Sequence, residues 1–421
     1  MRMRDHHPEA GFRTRFVRGP SSLKHHPALV LNADFRPLSY YPLSLWSWQD
    51  AIKAVFLDRV SVVAEYDAQV HSQRQAENLF LSPASAQIIL TLTANGARGD
   101  TRKEMLDALG YAGADLEAVN RAIQDLRGIL AHPGEGVELT TANAIWHQKG
   151  MTVAPAFLEV ALKQYGAQVR ETTFGEPGAA EAINRWVAEQ TRGRIPQLVD
   201  RTRPDDVMWL VNALYFKGAW QKPFDPNRTH ERPFHLAGGG TAQVPFMHQT
   251  ATFGYLAEQG LVGVRLPYGE GGLALYAFMP DRWDGFVEGL TPERFAEWIA
   301  RMGEREIRLA VPKLRLTDQL ELADPLAALG MQRAFTPGQA DLGGLFADSP
   351  ELYISRVVQK TFLEIHEEGT EAAAATGVGV TLTSAPAEQP PEVVLDKPFL
   401  LAIRDDRAGV TLFLGAIVDP S

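Results

Sequence analysis

The chain has 421 residues, of which 45% are hydrophobic and 22% are charged, as is ordinary for a soluble globular protein. Its net charge of −10 argues against a nucleic acid or another polyanion as a partner. Cysteine is absent, which excludes disulfides, thiolate metal sites and a cysteine nucleophile. No apolar run approaches the length of a membrane span, so no membrane partner is expected. No motif requires a cofactor or a metal ion, and we expect neither.

The first 75 residues differ in character from the rest of the chain. They begin with a basic, histidine-bearing stretch, which we predict to be disordered to Lys24 and in which no secretory signal is recognisable. A strand and turn are predicted at Leu29–Leu38, and an amphipathic helix at Ser44–Phe56. This region resembles the N-terminal leader of bacterial HNH-type endonucleases. Those nucleases depend on a downstream His-Asn-His metal site, which does not follow here, so we predict no nuclease activity.

Apolar residues at helical spacing predict five helices in the next part of the chain. They are Pro83–Gly96, Thr101–Leu109, Leu116–Leu130, Ala154–Tyr165 and Ala179–Gln190. Asp100 is a conventional N-cap residue and is expected to start the second of these helices. From Val207 onward, strand-like stretches dominate.

A long segment without predicted structure, Glu367–Pro391, lies between strand-like stretches. The strand before it is predicted at Tyr353–Glu364, and those after it at Val393–Leu395, Phe399–Ile403 and Val410–Val418. Its alanine, glycine, small polar residues and prolines are typical of a linker. A long loop between strands of a compact domain is, however, more often functional than filler.

Part of this segment, Thr370–Thr383, alternates with a period of two residues. Its even positions are small to apolar throughout, whereas its one charge, Glu371, lies at an odd position. No proline interrupts it before Pro386, so every amide in it could join a sheet. The pattern predicts a loop that can become a half-buried strand.

Five motifs stand in a fixed order along the chain. They are Asn78–Ser85, Val211–Trp220, Glu367–Thr376, Asp396–Leu400 and Phe413–Pro420. In residues, order and spacing they resemble motifs of the serpins, the serine protease inhibitor family. Glu367–Thr376 resembles the hinge of the serpin reactive loop. The resemblance implies a mixed α/β (α+β) fold, in which helices flank a large central β-sheet and the reactive loop is exposed.

The resemblance also divides the chain into two parts. Residues 1–75 are expected to be an HNH-endonuclease-like N-terminal fragment, and residues 76–421 a serpin-like domain that lacks most of its first helix. Val70–Ala76 stands where serpins place that helix and is too short and too polar to replace it. The sequence leaves open whether the helix predicted near Trp46–Leu57 fills the gap. An unfilled apolar groove would favour self-association.

The function that the resemblance implies is suicide inhibition of a serine protease, and not catalysis. The protease would cleave the loop, and the freed segment would insert into the central sheet. The implied hinge residues are Glu367, Gly369, Thr370, Ala372 and Ala374.

The position of the cleaved bond depends on how it is counted. Family spacing from Gly369 places it at Thr383–Ser384, which suggests a target with a small specificity pocket, such as an elastase-like or subtilisin-like protease. A one-residue slip would put Leu382 there and suggest a chymotrypsin-like target. Counting back from Pro398 gives Ala387 instead. The hinge count is preferred because insertion fixes the length of the inserted segment.

The family also implies residues that control when the sheet opens. Ser82, Ser85 and Asn212 match its hydrogen-bonding shutter cluster, in which Gln359 replaces a frequent histidine and would remove sensitivity to pH. Read alone, the two serines could equally be helix caps. The upper region of the central sheet is called the breach in serpins. There Trp220 matches the point of loop entry, and Lys313 matches the partner of Glu367.

Alternatives to an inhibitory serpin remain open on the sequence. A non-inhibitory serpin would serve as a binding module, and a mis-joined chain would inhibit poorly. The hinge argues for inhibition because Glu371, the one charge between Thr370 and Ala375, lies on the outward face. We expect a monomer that can form loop–sheet polymers, acting in an extracellular or periplasmic compartment as the family resemblance suggests.

Overall fold

The computed structural model describes residues 77–287, 289–346, 352–370 and 389–421. The predictions for residues 1–76 and most of the loop therefore lie outside the described residues. The described part contains seven α-helices: α1 Pro83–Gly96, α2 Gly99–Ala108, α3 Leu116–Leu130, α4 Pro155–Lys163, α5 Pro177–Gln190, α6 Pro292–Arg301 and α7 Ala323–Ala328. No helix of these residues is long and apolar enough to cross a membrane.

The described residues form fifteen strands. They are β1 Leu79–Leu81, β2 Val137–Gln148, β3 Gln168–Thr172, β4 Met208–Ala219, β5 His230–His235, β6 Thr241–Glu258, β7 Leu261–Tyr268, β8 Leu273–Pro280, β9 Gly303–Pro312, β10 Leu314–Glu321, β11 Arg356–His366, β12 Gly369–Thr370, β13 Glu392–Val394, β14 Phe399–Asp405 and β15 Val410–Ile417.

Local sequence explains where the first two helices begin. Ser82 caps α1 by accepting a hydrogen bond from the Ser85 amide, and Pro83 supplies the preset φ of the first turn. The prediction that Asp100 caps α2 is wrong. That helix begins at Gly99, after Arg98, so Asp100 lies inside the first turn, where its negative charge favours the helix dipole.

Nine strands form one sheet, in the order β1-β15-β14-β8-β7-β6-β9-β13, with β5 on a second part of the long strand β6. Its strand β1 pairs with β15, the last strand in the sequence, and Leu79 lies opposite Ala416. Its far edge is β13, which pairs with β9 through Val393 and Leu309. The strand that follows the loop is thereby fixed to this sheet.

Six strands form the second sheet, in the order β10-β11-β12-β4-β2-β3. The sequence did not predict its members β2 and β3, which precede Val207. Helix α5 covers one face of this sheet, where Ile183 and Trp186 pack against Trp146 and Trp209. Helices therefore flank the six-stranded sheet, and this agrees with the mixed α/β architecture.

The other face of the six-stranded sheet packs against the nine-stranded sheet. Phe80 and Phe413 stack there with ring centroids 5.0 Å apart, and Phe216 contacts Phe413 edge to face. All three side chains are at most 1% exposed. Burial of these rings fixes the spacing of the two sheets.

Replacing Phe80 with alanine should leave a cavity between the sheets. We expect the free energy of unfolding to fall by about 3–5 kcal/mol, seen as an earlier midpoint in urea unfolding followed by circular dichroism. Leu162→Ala is the control, because this side chain is 54% exposed, and it should change stability by less than about 0.5 kcal/mol. Equal shifts for the two variants would contradict the assignment of Phe80 to the core.

Candidate functional site

The six-stranded sheet splits between β4 and β11. Lower in the sheet these strands pair directly and in parallel, from Arg356 opposite Trp209 to Thr361 opposite Leu214. Four residues further along, the short strand β12 lies between them and pairs antiparallel with both. We call this opening the sheet split. At this place the two-residue strand β12 lies between β4 and β11, which pair directly below it.

The strand in the split is the start of the predicted hinge. Thr370 lies opposite Ile365 on one side and Gly218 on the other, while Gly369 lies opposite His366 and Ala219. Glu367 and Glu368 form the turn between β11 and β12. The sequence predicted strand-like alternation from Thr370 onward, and the structure shows its first residue already in the sheet.

Thr370 is fully buried, and its hydroxyl shares a hydrogen bond of 2.7 Å with the hydroxyl of Tyr268. Trp220 stacks on the Tyr268 ring with centroids 4.5 Å apart. The indole N–H of Trp220 donates to the carbonyl of His366 at 2.8 Å, and its backbone N–H donates to the carbonyl of Glu368 at 2.9 Å. Trp220 thus contacts the turn through which the hinge enters.

Glu367 anchors the turn through its carboxylate. Lys313 Nζ donates to Glu367 Oε2 at 2.9 Å, and the Thr229 hydroxyl donates to Oε1 at 2.7 Å. Burial by itself would raise the pKa of Glu367, but the hydrogen bonds from Lys313 and Thr229 outweigh it and lower the pKa below its ordinary value. At neutral pH the carboxylate therefore stays charged. It holds the turn to Lys313, the residue just before β10.

A buried polar cluster lies lower in the sheet, where β4 and β11 are still paired. The Gln359 side chain accepts from the Ser82 amide at 2.7 Å, and donates to the Ser82 carbonyl at 2.9 Å and to Asn212 Oδ1 at 2.8 Å. Asn212 donates in turn to Ser85 Oγ and, at 2.6 Å, to Asn143 Oδ1. We call these five residues the lower cluster.

The lower cluster connects five elements, of which Ser85 belongs to α1 and Asn143 to β2. Gln359 lies on β11 and Asn212 lies opposite it on β4, while the Ser82 hydroxyl donates to the Leu412 carbonyl of β15 at 2.7 Å. The Gln359 amide both donates and accepts here, through its nitrogen and its oxygen, without carrying a charge. Ser82 caps α1 and also hydrogen-bonds within the lower cluster.

Sequence reasoning missed three residues of the site: Thr229, Tyr268 and Asn143. Each reaches the split or the lower cluster from a distant element, and no local pattern indicates that contact. The predicted residues Ala372, Ala374, Leu382, Thr383, Ser384 and Ala387 lie outside the described residues. Within the ranges that the structure describes, no cluster of three or more metal-binding side chains occurs.

Two protein families match the sequence. Residues 63–420 match the family described as Serpin (serine protease inhibitor), and residues 28–79 match the HNH endonuclease-associated, N-terminal domain. The two matches overlap at residues 63–79, so the boundary expected between residues 75 and 76 stays a prediction. The Leukocyte elastase inhibitor of Bos taurus is 34% identical over 360 residues, covering 82% of this chain and 94% of the relative.

Solved structures agree with this family. A thermophilic serpin, tengpin, in the native state aligns with a TM-score of 0.77 and 29% identity, covering 88% of this chain and 93% of that one. Human thyroxine-binding globulin complexed with thyroxine aligns with a TM-score of 0.79 and 26% identity, covering 89% and 97%.

Gln359→His should make stability depend on pH through the lower cluster. Burial disfavours the charged imidazole, so its folded pKa should lie below the ordinary value of about 6.5. A depressed histidine pKa keeps stability above about pH 6.5 and loses it as the pH falls toward the folded pKa, by up to about 1.4 kcal/mol per pH unit. The measurement is the melting temperature, variant minus wild type, from pH 8 to pH 5.

Gln359→Met is the matched control for this experiment, because it removes the same hydrogen bonds without adding a titratable group. Its difference from wild type should be constant over the same pH range. A constant difference for Gln359→His as well would show that position 359 is not buried in the way described.

Proposed function

This chain belongs to the serpin family, and we propose that it inhibits a serine protease as a suicide substrate. The observation that carries the proposal is the Gly369–Thr370 strand in the sheet split, from which the predicted hinge continues in the sequence. A strand that has begun to enter a closed sheet supplies both the direction and the register for further insertion. The family match describes inhibitors of proteases rather than enzymes.

The proposed reaction starts with the protease treating the loop as a substrate. The catalytic serine attacks the scissile carbonyl and releases the C-terminal side of the loop, which leaves an ester between the enzyme and the loop. The released strand then inserts downward from Thr370. Fourteen residues, Thr370–Thr383, span about 45 Å in an extended strand, so the attached protease is carried toward the opposite end of the sheet.

The register of β12 predicts which residues insertion brings together. Continued downward, it places Ala374 between Thr361 and Leu214, the uppermost directly paired residues of β11 and β4. Insertion must therefore separate this pair first, and a small side chain at position 374 eases entry. In an inserted strand the even positions would share the inward face of the fully buried Thr370, so Ala372 and Ala374 would face inward and Glu371 outward.

The same register predicts what happens at the lower cluster. Thr376 would lie between Gln359 and Asn212, where those side chains now share a hydrogen bond of 2.8 Å. Insertion must break that bond, and the Thr376 hydroxyl can then bond to both groups. We propose that Ser82, Ser85, Asn212 and Gln359 hold the sheet closed in this way until cleavage.

The energy of insertion comes from new backbone pairing. β4 and β11 exchange their direct pairing for pairing on both sides of an added strand. About ten additional ladder hydrogen bonds at roughly 1 kcal/mol net each would release on the order of 10 kcal/mol. Such an energy is enough to distort a protease active site that depends on one oxyanion hole and one triad.

The target is proposed to have a small or apolar specificity pocket. The hinge count favours cleavage at Thr383–Ser384, with Leu382 as the alternative, and no basic residue lies between Lys360 and Lys397. The bovine relative that is named an elastase inhibitor supports a target of this class. An extracellular or periplasmic site of action stays a prediction, because the serpin family includes members inside and outside cells.

The same split explains why association between copies is expected. A loop from a second molecule could enter between β4 and β11, which would give loop–sheet polymers, while the inhibitor itself would act as a monomer. The alternative is a non-inhibitory serpin that serves as a binding module, and the similar thyroxine-binding globulin is named for the ligand it binds. This alternative predicts no insertion after cleavage.

The test is incubation with elastase-like, chymotrypsin-like and subtilisin-like proteases, followed by denaturing gel electrophoresis. We expect a covalent complex that survives denaturation, and mass spectrometry of the released C-terminal peptide to identify Thr383–Ser384 as the cleaved bond. Cleavage by all three proteases without any complex would overturn the proposal and favour the non-inhibitory reading.

Thr370→Arg should convert the inhibitor into a substrate, because a long charged side chain would have to occupy the fully buried position beside Tyr268. The yield of covalent complex should fall at least tenfold while the loop is still cleaved. Glu371→Arg is the matched control, since alternation places it on the outward face, and it should keep the yield within about twofold. Equal yields from the two variants would contradict insertion in this register.

Cleavage in the loop should also raise the melting temperature of the inhibitor. Insertion adds a paired strand to the six-stranded sheet, so the cleaved molecule should be more stable than the intact one by the order of 10 kcal/mol given above. Calorimetry of intact and cleaved protein measures this difference. An unchanged melting temperature would show that the intact molecule stores no energy.

A further inference from the structure

The sheet split contains a seat for one residue, shaped by a glycine on β4. A Cβ atom at Gly218 would lie 2.8 Å from Tyr268 Cδ1 and 2.9 Å from Phe216 Cζ. Because Gly218 has no side chain, the Tyr268 ring can lie against β4 and direct its hydroxyl toward Thr370, which is the residue paired with Gly218. The glycine and the tyrosine together make room for a threonine and supply its hydrogen bond.

A second glycine lets the hinge approach this seat. Gly369 has φ +149°, and a Cβ atom there would lie 2.1 Å from the carbonyl oxygen of Gly218. No larger residue fits without moving the backbone of β4. The docked arrangement therefore depends on Gly369 for access and on Thr370 for attachment.

The attachment is a hydrogen bond between two fully buried hydroxyls. Tyr268 and Thr370 are both 0% exposed, and this is the one hydrogen bond that the Tyr268 hydroxyl makes within the described part of the chain. Burial raises the pKa of Tyr268 above its ordinary value, so the phenol is protonated and can donate at neutral pH. Loss of either partner leaves the other hydroxyl buried and unpaired, which costs more than the bond itself contributes.

We propose that Tyr268 is a positioning residue that holds Thr370 in the sheet split of the uncleaved molecule, so that insertion starts from a docked hinge. This proposal rests on the proposed inhibitory function for its consequence, but the docking itself can be measured without any protease. The Tyr268–Thr370 bond is formed in the docked hinge and is kept when the strand extends below it. Its effect is therefore to depopulate the state in which the hinge has left the sheet.

The consequence concerns the competition between insertion and hydrolysis of the ester. In the docked molecule the turn Glu367–Glu368 is already formed and the first rung is already paired. A hinge that has left the sheet must close this turn again before any further rung can form, while the ester remains open to water. Undocking should thus shift the outcome from trapped complex toward released, active protease.

Hydrogen exchange measured by mass spectrometry tests the docking in the intact protein. In Tyr268→Phe the ring and its stacking on Trp220 are kept, and only the hydroxyl is lost. We expect amides in a peptide covering residues 364–370 to exchange on the order of tenfold faster. Thr370→Val should give a similar increase. The double variant Tyr268→Phe/Thr370→Val leaves no unpaired hydroxyl and should return to within about threefold of wild type.

Two controls separate this role from general destabilisation. Tyr276→Phe also removes a phenolic hydroxyl, one that bonds to Asp406 at 2.9 Å on the nine-stranded sheet, and it should leave exchange of residues 364–370 unchanged. Thr370→Ser keeps a hydroxyl at the seat and should keep most of the protection. Unchanged exchange in Tyr268→Phe, or strictly additive effects in the double variant, would overturn the proposal.

The protease assay then distinguishes failure of this proposal from failure of the proposed function. With a protease that the wild type traps, Tyr268→Phe should need several-fold more inhibitor per protease molecule trapped, and the double variant should recover. If the wild type traps no protease, the inhibitory function fails while the exchange result still stands. If wild type and Tyr268→Phe trap equally and exchange equally, the role of Tyr268 fails while the inhibitory function stands.

Discussion

The structure depends on how β4 and β11 are joined. They pair directly only from Arg356–Trp209 to Thr361–Leu214, and above that point Gly369–Thr370 lies between them. A strand pair in the middle of a sheet normally has no free hydrogen-bonding groups. Here β12 pairs only with Gly218–Ala219 of β4 and Ile365–His366 of β11, so the ladder across the split is incomplete between these pairs and Leu214–Thr361. Direct pairing of β4 with β11 closes the sheet, whereas a strand between them requires the two to separate. The sheet split is the boundary between these two arrangements.

Two polar arrangements at different heights balance these demands. At the top, buried hydroxyls and the Lys313–Glu367 ion pair hold the hinge in the split. Lower down, Gln359 and Asn212 hold β4 and β11 together, with Ser82 connecting them to β15. Every member is hydrogen-bonded, which is what makes buried polar groups tolerable in this core. Both arrangements contact the same pair of strands, and under the proposed function the upper one favours entry of a strand while the lower one resists it.

Much of the fold could be predicted from the sequence because its signals are local. The capped start at Ser82–Pro83 gave helix α1 its bounds, and the apolar run before Gly415 indicated β15. Asp100 was placed wrongly because a capping preference is only a local tendency, and the helix begins at Gly99, two residues before the predicted Thr101. Strand β2 was not predicted because its alternation is weak around Thr140–Asn143, where the sequence resembles a polar loop. Its strand character depends on pairing with β4.

The sequence by itself determined that Thr370 begins a segment able to alternate and that the hinge is small on one face. These follow from side-chain size, charge and order along the chain, whereas the polar surroundings of Gln359 were implied only by the family resemblance. Only the tertiary structure decided that Thr370 is already in the sheet, that Gly218 leaves space for Tyr268, and that Asn143 completes the lower cluster. Those contacts join residues separated by about a hundred positions or more, or cross between strands, and the free energy of such a contact depends on packing that no local pattern encodes.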